Sequence, residues 1–176
     1  MPKIKLYIAT SLDGFIARND GSLDWLVDHP NPEKLDYGYH EFYSQIDVVV
    51  MGRTTYDEII SFDVEWPYND CTSFVVTSDH SYSAKSENTH IIHEVNEDNL
   101  KFIKEKSTKN IWIVGGGKLI STFLNHNAID DFTLYIMPTI IGSGIPLFTN
   151  AKETRFDLVK SEYFDTGVAM LSYSKK

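Results

Sequence analysis

Short apolar runs alternate with amphipathic stretches along most of the chain. Apolar and β-branched residues predominate in the runs, which predicts strands at residues 4–9, 48–51, 74–76, 90–95, 111–114 and 132–137. The amphipathic stretches predict helices at residues 33–45, 54–60, 97–106 and 118–125. Residues 155–173 are expected to form two strands joined by a turn at Asp165-Thr166-Gly167. This order predicts an α/β fold with a mostly parallel sheet, helices on both faces and an antiparallel C-terminal hairpin.

The composition is that of a globular protein. The chain has 176 residues, 42% of them hydrophobic and 23% charged, so we expect one domain spanning residues 1–176. Cys71 is the single cysteine, which excludes an intramolecular disulfide and favours a reducing compartment. The sequence carries no recognisable export signal and no run of the roughly 20 apolar residues that span a bilayer, so we expect a cytoplasmic protein.

The formal net charge of −9 bears on the choice of partner. Nucleic acids and membrane surfaces attract proteins with a basic field, so the charge argues against both as partners. A phosphorylated ligand would require a local positive potential, supplied by helix N-termini and a few cations.

One candidate binding corner is Met51-Gly52-Arg53-Thr54-Thr55, where a predicted buried strand meets a helix. The first N–H groups of a helix have no partners within it, and a phosphate at this edge of a parallel sheet would accept them. Arg53 would add a planar, permanently charged donor, and Thr54 and Thr55 would cap the helix or donate hydroxyls. Taken alone, the corner also fits a capped helix with an exposed arginine.

A second candidate corner contains three consecutive glycines, Gly115, Gly116 and Gly117, between a strand and a helix. Glycine permits a positive φ and the close approach of a ligand to the main chain, whereas three glycines in a mere turn would lose much conformational entropy. The common nucleotide fingerprints do not fit here. Ile120 occupies the third glycine position of the Rossmann pattern, and Leu119 stands where a P-loop requires Ser or Thr.

Five segments together resemble the dihydrofolate reductase superfamily, and especially stand-alone proteins similar to the reductase domain of bacterial riboflavin biosynthesis. They occur in the same order over almost the whole chain. The segments are Ser11-Leu12-Asp13-Gly14-Phe15-Ile16-Ala17, Asp24-Trp25-Leu26, Met51-Gly52-Arg53-Thr54-Thr55-Tyr56, Val114-Gly115-Gly116-Gly117 and Pro138-Thr139-Ile140-Ile141-Gly142-Ser143-Gly144-Ile145-Pro146-Leu147-Phe148. The resemblance implies a three-layer αβα fold of the dihydrofolate reductase type.

The resemblance also implies an NADPH site. The two corners and the end of the strand at 74–76 would hold the phosphates and riboses, and two apolar residues would contact the nicotinamide. The residues implied for the phosphates and riboses are Gly52, Arg53, Thr54, Thr55, Thr77, Ser78, Val114, Gly115, Gly116, Gly117, Lys118 and Leu119, and those for the nicotinamide are Ala9 and Ile16.

Reduction of a C=N bond also requires a proton, from an acid or from water. Dihydrofolate reductases carry a carboxylate on the helix before the Met-Gly-Arg corner, and Asp36 falls at that place when the sequences are matched without gaps. Burial would raise the pKa of Asp36 and make it a useful acid. Alternatively, Asp36 belongs to the first turn of a helix, where the dipole favours an acidic residue. Asp13 and Asp24 are rival candidates for catalysis.

Asp13, Asp24 and Trp25 are the candidate substrate-binding residues, and the segment from Trp25 to Tyr39 is the expected wall of the substrate site. Asp13 would equally suit a turn with Gly14, and Trp25 would equally suit the core. Val114 before the glycines is closer to folate reductases, whereas Ser11-Leu12-Asp13-Gly14 is closer to the riboflavin branch. The resemblance therefore implies a pyrimidine reductase like that of riboflavin synthesis, with dihydrofolate or pteridine reduction as the alternative.

The remaining expectations concern metals, partners and a different class of function. His90 and His93, three apart on a predicted strand, would point to opposite faces, so no metal site is expected. A nucleotide-binding module that kept the fold and lost the chemistry is the alternative outside the enzymes. The resemblance further implies a homodimer, in which the edge formed by residues 155–173 would be covered.

Overall fold

The computed structural model describes residues 1–62 and 64–176, which contain ten strands and five helices. The strands are β1 (Ile4–Thr10), β2 (Phe15–Ala17), β3 (Ile46–Gly52), β4 (Thr72–Val76), β5 (Thr89–Ile92), β6 (Asn110–Gly115), β7 (Asp131–Ile136), β8 (Ile145–Pro146), β9 (Phe156–Tyr163) and β10 (Ala169–Lys175). The helices are α1 (Asp24–Val27), α2 (Tyr39–Ser44), α3 (Arg53–Ser61), α4 (Glu97–Glu105) and α5 (Gly117–Asn125). None of the helices in these described residues has the length and hydropathy that a membrane span requires.

Eight strands form one sheet in the order β5-β4-β3-β6-β1-β7-β10-β9. The pairs from β5 to β7 are parallel, and β10 joins β7 and β9 in antiparallel fashion. The predicted mostly parallel sheet with an antiparallel C-terminal hairpin is therefore confirmed. A separate antiparallel ribbon forms between β2 and β8.

The sheet is covered on both faces because its central strands are apolar on both. Along β3, Val48 and Val50 pack into one hydrophobic cluster, whereas Val49 and Met51 pack into another. Helices α4 and α5 contribute Ile103 and Phe123, among others, to the first cluster, and α3 contributes Tyr56 to the second. The alternation accounts for the three layers, since successive residues of a strand point to opposite faces.

The predicted helix at 33–45 is wrong over its first half, because α2 begins only at Tyr39. The side-chain amide of Asn31 both accepts a hydrogen bond from Leu35 N (2.9 Å) and donates one to Leu35 O (2.8 Å). Lys34 and Tyr37 have φ values of 51° and 52°, in the left-handed region that a helix does not use. Side-chain bonding to the backbone thus competes with the helix in this segment.

The predicted strand at 90–95 ends at Ile92, so His93 lies beyond β5 and the argument that His90 and His93 share a strand does not apply. His93 instead hydrogen-bonds through Nδ1 to Thr77 O (2.9 Å) and stacks against His80, with 4.1 Å between ring centroids. Helix α1 and the ribbon of β2 and β8 are additions that the hydrophobic pattern did not predict.

Candidate active site

The two candidate corners lie side by side at the carboxyl edge of the sheet. Strands β3 and β6 are parallel neighbours, and Met51 is opposite Gly115 in their register. A Cβ atom built on Gly116 would lie 3.7 Å from Thr55 Oγ1, at the start of α3. Both strand-to-helix reversals therefore face the same space.

That space is a groove of about 830 Å³, within the range of ~300–1,000 Å³ that is usual for ligand pockets. Every residue predicted to contact a cofactor lines it: Ala9, Ile16, Gly52, Arg53, Thr54, Thr55, Thr77, Ser78, Val114, Gly115, Gly116, Gly117, Lys118 and Leu119. Sequence reasoning missed nine other lining residues: Ile8, Ala17, Gly21, Leu23, Leu26, Glu58, Val76, Thr122 and Ile145. Three of these, Ile8 on β1, Ala17 on β2 and Val76 on β4, lie next to a predicted residue, and this proximity was the available signal.

Both helices that start at the groove have glycine as the N-cap residue. Within the described residues, neither Gly52 before α3 nor Gly116 before α5 is accompanied by a capping side-chain hydrogen bond. The first-turn amides are therefore available to an anion, to which the helix dipole also contributes. Gly116 has a φ of 93°, which a residue with a side chain rarely adopts.

Gly52 and Gly117, one at each corner, differ in the space around their Cα atoms. In the described part of the chain, a Cβ atom built on Gly52 would meet no atom within 4 Å, so this position borders open space in the groove. A Cβ atom on Gly117 would instead overlap the carbonyl oxygen of Pro146, in β8. The backbone of α5 therefore rests directly on that of β8.

Arg53 is fixed at the groove by two carboxylates. Its Nη1 lies 2.9 Å from Asp79 Oδ2 and its Nε lies 3.2 Å from Asp57 Oδ2. The guanidinium also lies over the ring of Tyr82, 4.6 Å from the centroid. The hydrogen bond with Asp57 raises the pKa of Arg53 above its already high ordinary value. Arg53 is thus a permanent cation held in one orientation.

Asp79 belongs to a tight turn after β4. Its Oδ1 accepts hydrogen bonds from Ser81 Oγ (2.6 Å) and Ser81 N (2.9 Å), while its own N–H donates to Thr77 Oγ1 (3.2 Å). The bonds from Ser81 hold the pKa of Asp79 below its usual value, and the charge of Arg53 adds to the effect. A negative charge therefore sits beside Thr77 and Ser78.

A second cavity, of about 230 Å³, adjoins the groove. The two share Ala9 and Leu26 as lining residues. We call it the tyrosine cavity, because Tyr7, Tyr37 and Tyr135 line it together with Ala9, Leu26, Val27, His29, Asn31, Met137 and Val168. Five of these residues fall within the segment 25–39 that was expected to form the substrate wall.

The polar groups of the tyrosine cavity bond to one another and to the backbone. Tyr7 and Tyr135 both donate their hydroxyls to Tyr37 O, Tyr7 at 3.1 Å, and Tyr37 donates to Thr166 Oγ1 (3.0 Å). His29 Nε2 lies 3.0 Å from Thr166 O. Burial raises the pKa of Tyr7, and the adjoining Tyr135 hydroxyl raises it further, so this hydroxyl stays protonated.

The expectation that burial raises the pKa of Asp36 is wrong. Asp36 is exposed, and its carboxylate accepts bonds from Gly38 N (2.9 Å) and His40 N (3.1 Å) at the start of α2. These backbone bonds lower its pKa. Asp36 lines neither cavity in the described residues. It does not lie in the first turn of a helix either, because it precedes the N-cap Gly38 of α2, but its carboxylate accepts a bond from His40 N in that first turn.

Asp13 fastens two loops together. It accepts hydrogen bonds from Ser11 Oγ (2.7 Å), Gly142 N (2.8 Å) and Ile141 N (3.2 Å). The bond from Ser11 is the main reason that the pKa of Asp13 is lowered. The carboxylate holds the loop before β2 against the segment before β8, and it lies outside both described cavities.

Asp24 and Trp25 do not face the cavities either, in the part of the chain that the structure describes. Asp24 forms an ion pair with Arg18 at 2.6 Å, which lowers the pKa of Asp24. Trp25 is buried against Tyr135, Met137, Val168 and Met170, so it takes the core role that was its alternative. Helical periodicity explains the difference, because Leu23, the N-cap residue of α1, and Leu26, three residues later, face the groove instead.

The fold and the site together define a domain of the dihydrofolate reductase-like class. Dihydrofolate reductase of Enterococcus faecalis complexed with NADP(H) superimposes with a TM-score of 0.72 at 19% identity, over 99% of this chain and 96% of that one. A putative riboflavin biosynthesis protein from Shewanella sp. PV-4 gives 0.89 at 32% identity, over 99% of both chains. The Bacillus subtilis uncharacterised protein YwjB is 39% identical over 170 residues, which is 96% of this chain and 95% of YwjB.

Residues 2–170 match the model of the RibD C-terminal domain. The chain therefore belongs to the RibD C-terminal domain family, a family of reductase-like domains.

Proposed function

We propose that this chain is an NADPH-dependent reductase that transfers a hydride to a small heterocyclic acceptor. The observation that carries the proposal is the continuity of the groove with the tyrosine cavity across Ala9 and Leu26. A dinucleotide lying along the groove would place its reactive ring beside a molecule in the cavity. The groove and the cavity thus offer the two adjacent sites that hydride transfer requires.

The residues of the groove fit a dinucleotide in chemistry as well as in place. The N-termini of α3 and α5 converge on it, and Arg53 and Lys118 add cations. In this proposal the α3 corner holds a phosphate, the three glycines hold the pyrophosphate and ribose, and Thr77 and Ser78 lie near the adenosine 2′-phosphate. Ala9 and Ile16 contact the nicotinamide. The Enterococcus faecalis neighbour complexed with NADP(H) supports a nicotinamide cofactor here.

The bound cofactor would supply a hydride, and the chain would supply position, shielding and a route for the proton. Ala9 and Leu26 would hold the acceptor against the reactive ring, and the aromatic walls would exclude bulk water from one side. Neither Asp13 nor Asp36 is suited to donate, because hydrogen bonds keep both carboxylates ionised. We propose that water entering past Val27, which is 76% exposed, delivers the proton.

The family and the Shewanella neighbour support an acceptor of the riboflavin-pathway type, such as a ribosylaminopyrimidine. A pteridine such as dihydrofolate is the alternative acceptor, and it draws support from the shared fold alone. A dihydropterin would accept the hydride at the carbon of a ring C=N bond, and a ribosylaminopyrimidine would accept it at the sugar carbon of its open-chain imine.

Equilibrium binding followed by turnover tests the proposal. NADPH should bind the purified protein with 1:1 stoichiometry, and NADPH oxidation should depend on an added aminouracil or pteridine. If NADPH binds but no acceptor in a broad panel is reduced, the chain is a nucleotide-binding module and not a reductase. If neither NADPH nor NADH binds, the proposal fails altogether.

A further inference from the structure

We infer that the tyrosine cavity takes an uncharged, flat, unsaturated ring molecule that carries neither a phosphate nor a carboxylate inside the cavity. The inference rests on the proposed function, because it assigns the acceptor side of the same site. It goes further in separating acceptors that the fold alone does not distinguish.

The first support is the chemistry of the walls. Three tyrosine rings and five aliphatic or thioether side chains make up most of the lining. The rings of Tyr7 and Tyr135 are 4.9 Å apart, and Tyr37 meets Tyr135 edge-on at 6.0 Å. Aromatic faces at these spacings favour a planar, polarisable guest, which would stack or pack against their edges.

The second support is that the tyrosine hydroxyls and the Asn31 amide of the cavity already have partners. The hydroxyls of Tyr7 and Tyr135 donate to Tyr37 O, and both polar ends of Asn31 bond to Leu35. An anion that displaced these bonds would leave buried groups unsatisfied, at a cost of ~1–3 kcal/mol each. A guest that leaves the network intact avoids this cost.

The third support is the charge around the cavity. In the described part of the chain no lysine or arginine lines the cavity, and the ring of the lining residue His29 is already engaged through Nε2 with Thr166 O at 3.0 Å. Lys160, whose charge acts on Tyr135, is paired with Glu162 at 2.8 Å. A phosphate in the tyrosine cavity would therefore lose its hydration and meet aromatic rings in place of a free cation. Burial of an unpaired charge is among the most unfavourable events in a protein interior.

The size of the cavity points the same way. At about 230 Å³ it is smaller than the ~300–1,000 Å³ typical of ligand pockets, and suits a molecule with one or two rings. In the reaction, the carbon of a C=N bond, in the ring of a dihydropterin or in the sugar-derived imine of a ribosylaminouracil, would form a new C–H bond with the transferred hydride. Its π pair would move to the conjugated oxygen or nitrogen, which takes a proton from water, and the dinucleotide would lose two electrons.

Matched pairs of acceptors test the inference. One pair is 5-amino-6-ribosylaminouracil and its 5′-phosphate, and the other is 6-methyl-7,8-dihydropterin and dihydrofolate, which adds a charged p-aminobenzoylglutamate. Binding of each compound is measured by calorimetry on protein saturated with NADP⁺, and kcat/KM is measured with NADPH. We expect the uncharged member of each pair to bind about tenfold more tightly, a difference of ~1.4 kcal/mol.

A variant with a new cation at the cavity tests the physical cause. Val27→Arg introduces a positive charge at an exposed lining residue. In this variant the dissociation constant of the phosphorylated uracil should come to within about twofold of that of its uncharged partner. Val64→Arg is the control, because Val64 is 62% exposed and is not among the lining residues.

Three results would overturn the inference while NADPH still binds: equal or tighter binding of the charged members, an unchanged preference in Val27→Arg, or binding of no member of either pair. Failure of NADPH itself to bind would count against the proposed function instead.

Discussion

Arg53 lies between Asp57 and Asp79, and this arrangement bears on the choice of dinucleotide. An arginine at the ribose accommodates a 2′-phosphate, whereas an acidic residue accepts a hydrogen bond from a 2′-hydroxyl. Here Arg53 Nη1 lies 2.9 Å from Asp79 Oδ2, and both residues are next to Thr77 and Ser78. A 2′-phosphate would gain the arginine but would also face the carboxylate of Asp79.

In the Asp79→Asn variant, the ratio of the affinity for NADPH to the affinity for NADH should therefore be about fivefold higher than in the unmodified protein. The substitution removes a like charge beside the phosphate and retains a group that can hydrogen-bond to Arg53. Fluorescence titrations with both dinucleotides measure the ratio. Asp98→Asn, at an exposed position in the first turn of α4, changes the net charge equally and should leave the ratio unchanged.

The Arg53→Ala variant should lose more affinity for NADPH than for NADH. The guanidinium would form charge-assisted bonds to a phosphate that NADH lacks. The same titrations apply, and raised ionic strength should narrow the difference. An equal loss for both dinucleotides would show that Arg53 does not contact the 2′-phosphate.

At the scale of elements, β3 carries a structural carboxylate at one end and the cofactor corner at the other. Burial tends to raise the pKa of Asp47, but hydrogen bonds from Ser107 Oγ (2.6 Å), Thr108 N (2.7 Å), Thr108 Oγ1 (2.8 Å) and Lys109 N (2.9 Å) outweigh it and lower the pKa. These bonds attach the loop before β6 to β3.

The Asp47→Asn variant should lose ~1–3 kcal/mol of the free energy of unfolding, because an amide replaces one charged acceptor oxygen with a donor. The folded-state pKa is below the ordinary value near 4, so the contribution of Asp47 is present above pH ~4 and is lost as the pH falls through the folded-state pKa. Urea unfolding at pH 7 and at pH 3 should show a smaller difference between variant and parent at pH 3.

Gly117, the first residue of α5, and Gly52, the N-cap of α3, offer a matched pair of substitutions. Gly117→Ala should destabilise the fold by ~1–3 kcal/mol, because its Cβ overlaps Pro146 O and one of two backbones must shift. Gly52→Ala should cost little stability, since its Cβ meets open groove, yet it should weaken NADPH binding. Thermal unfolding and NADPH titration of both variants separate the two effects. Comparable destabilisation by both would contradict this account.

Elements with a strong hydrophobic pattern could be predicted from the sequence, and elements held by side-chain bonds could not. The strands β1, β3, β4, β6 and β7 are apolar runs, and they were found within a few residues of their observed ends. The start of α2 depends on Asn31 and on left-handed residues, and the ribbon of β2 and β8 joins segments 128 residues apart. A local pattern contains neither kind of information.

The candidate groove was predictable because its residues sit directly after strands. Parallel strands bring their carboxyl ends to one edge, so Gly52, Thr77 and Gly115 had to meet once the sheet was correct. The candidate acids were less predictable, because whether Asp13 or Asp36 is available depends on backbone N–H groups that the sequence does not place. The burial of Trp25 in the core was also not predictable, because the orientation of the four-residue helix α1 determines which way its side chain points.

At the scale of the whole molecule, β5 and β9 are the two edge strands of the eight-stranded sheet, and β9 carries exposed apolar side chains. Leu158, Val159 and Tyr163 on this strand are 54%, 64% and 84% exposed. An uncovered apolar edge strand favours pairing with another chain. We propose that two copies associate along β9 as a homodimer.

Sedimentation equilibrium should then give a mass of about twice the 20.1 kDa of one chain. Val159→Lys places a charge on the edge and should shift the equilibrium toward the monomer, whereas Val64→Lys should not. A monomer at all accessible concentrations of the unmodified protein would refute the dimer.

Ala9 on β1 lines both the groove and the tyrosine cavity, so the junction between them lies at its single methyl group. A residue with a long side chain at this position would fill the passage, and each chamber would still admit its own guest. Such a protein would retain the dinucleotide and the acceptor without letting them touch. The size of one side chain on a central strand therefore suffices to turn a catalyst of this architecture into a reservoir or sensor for the dinucleotide.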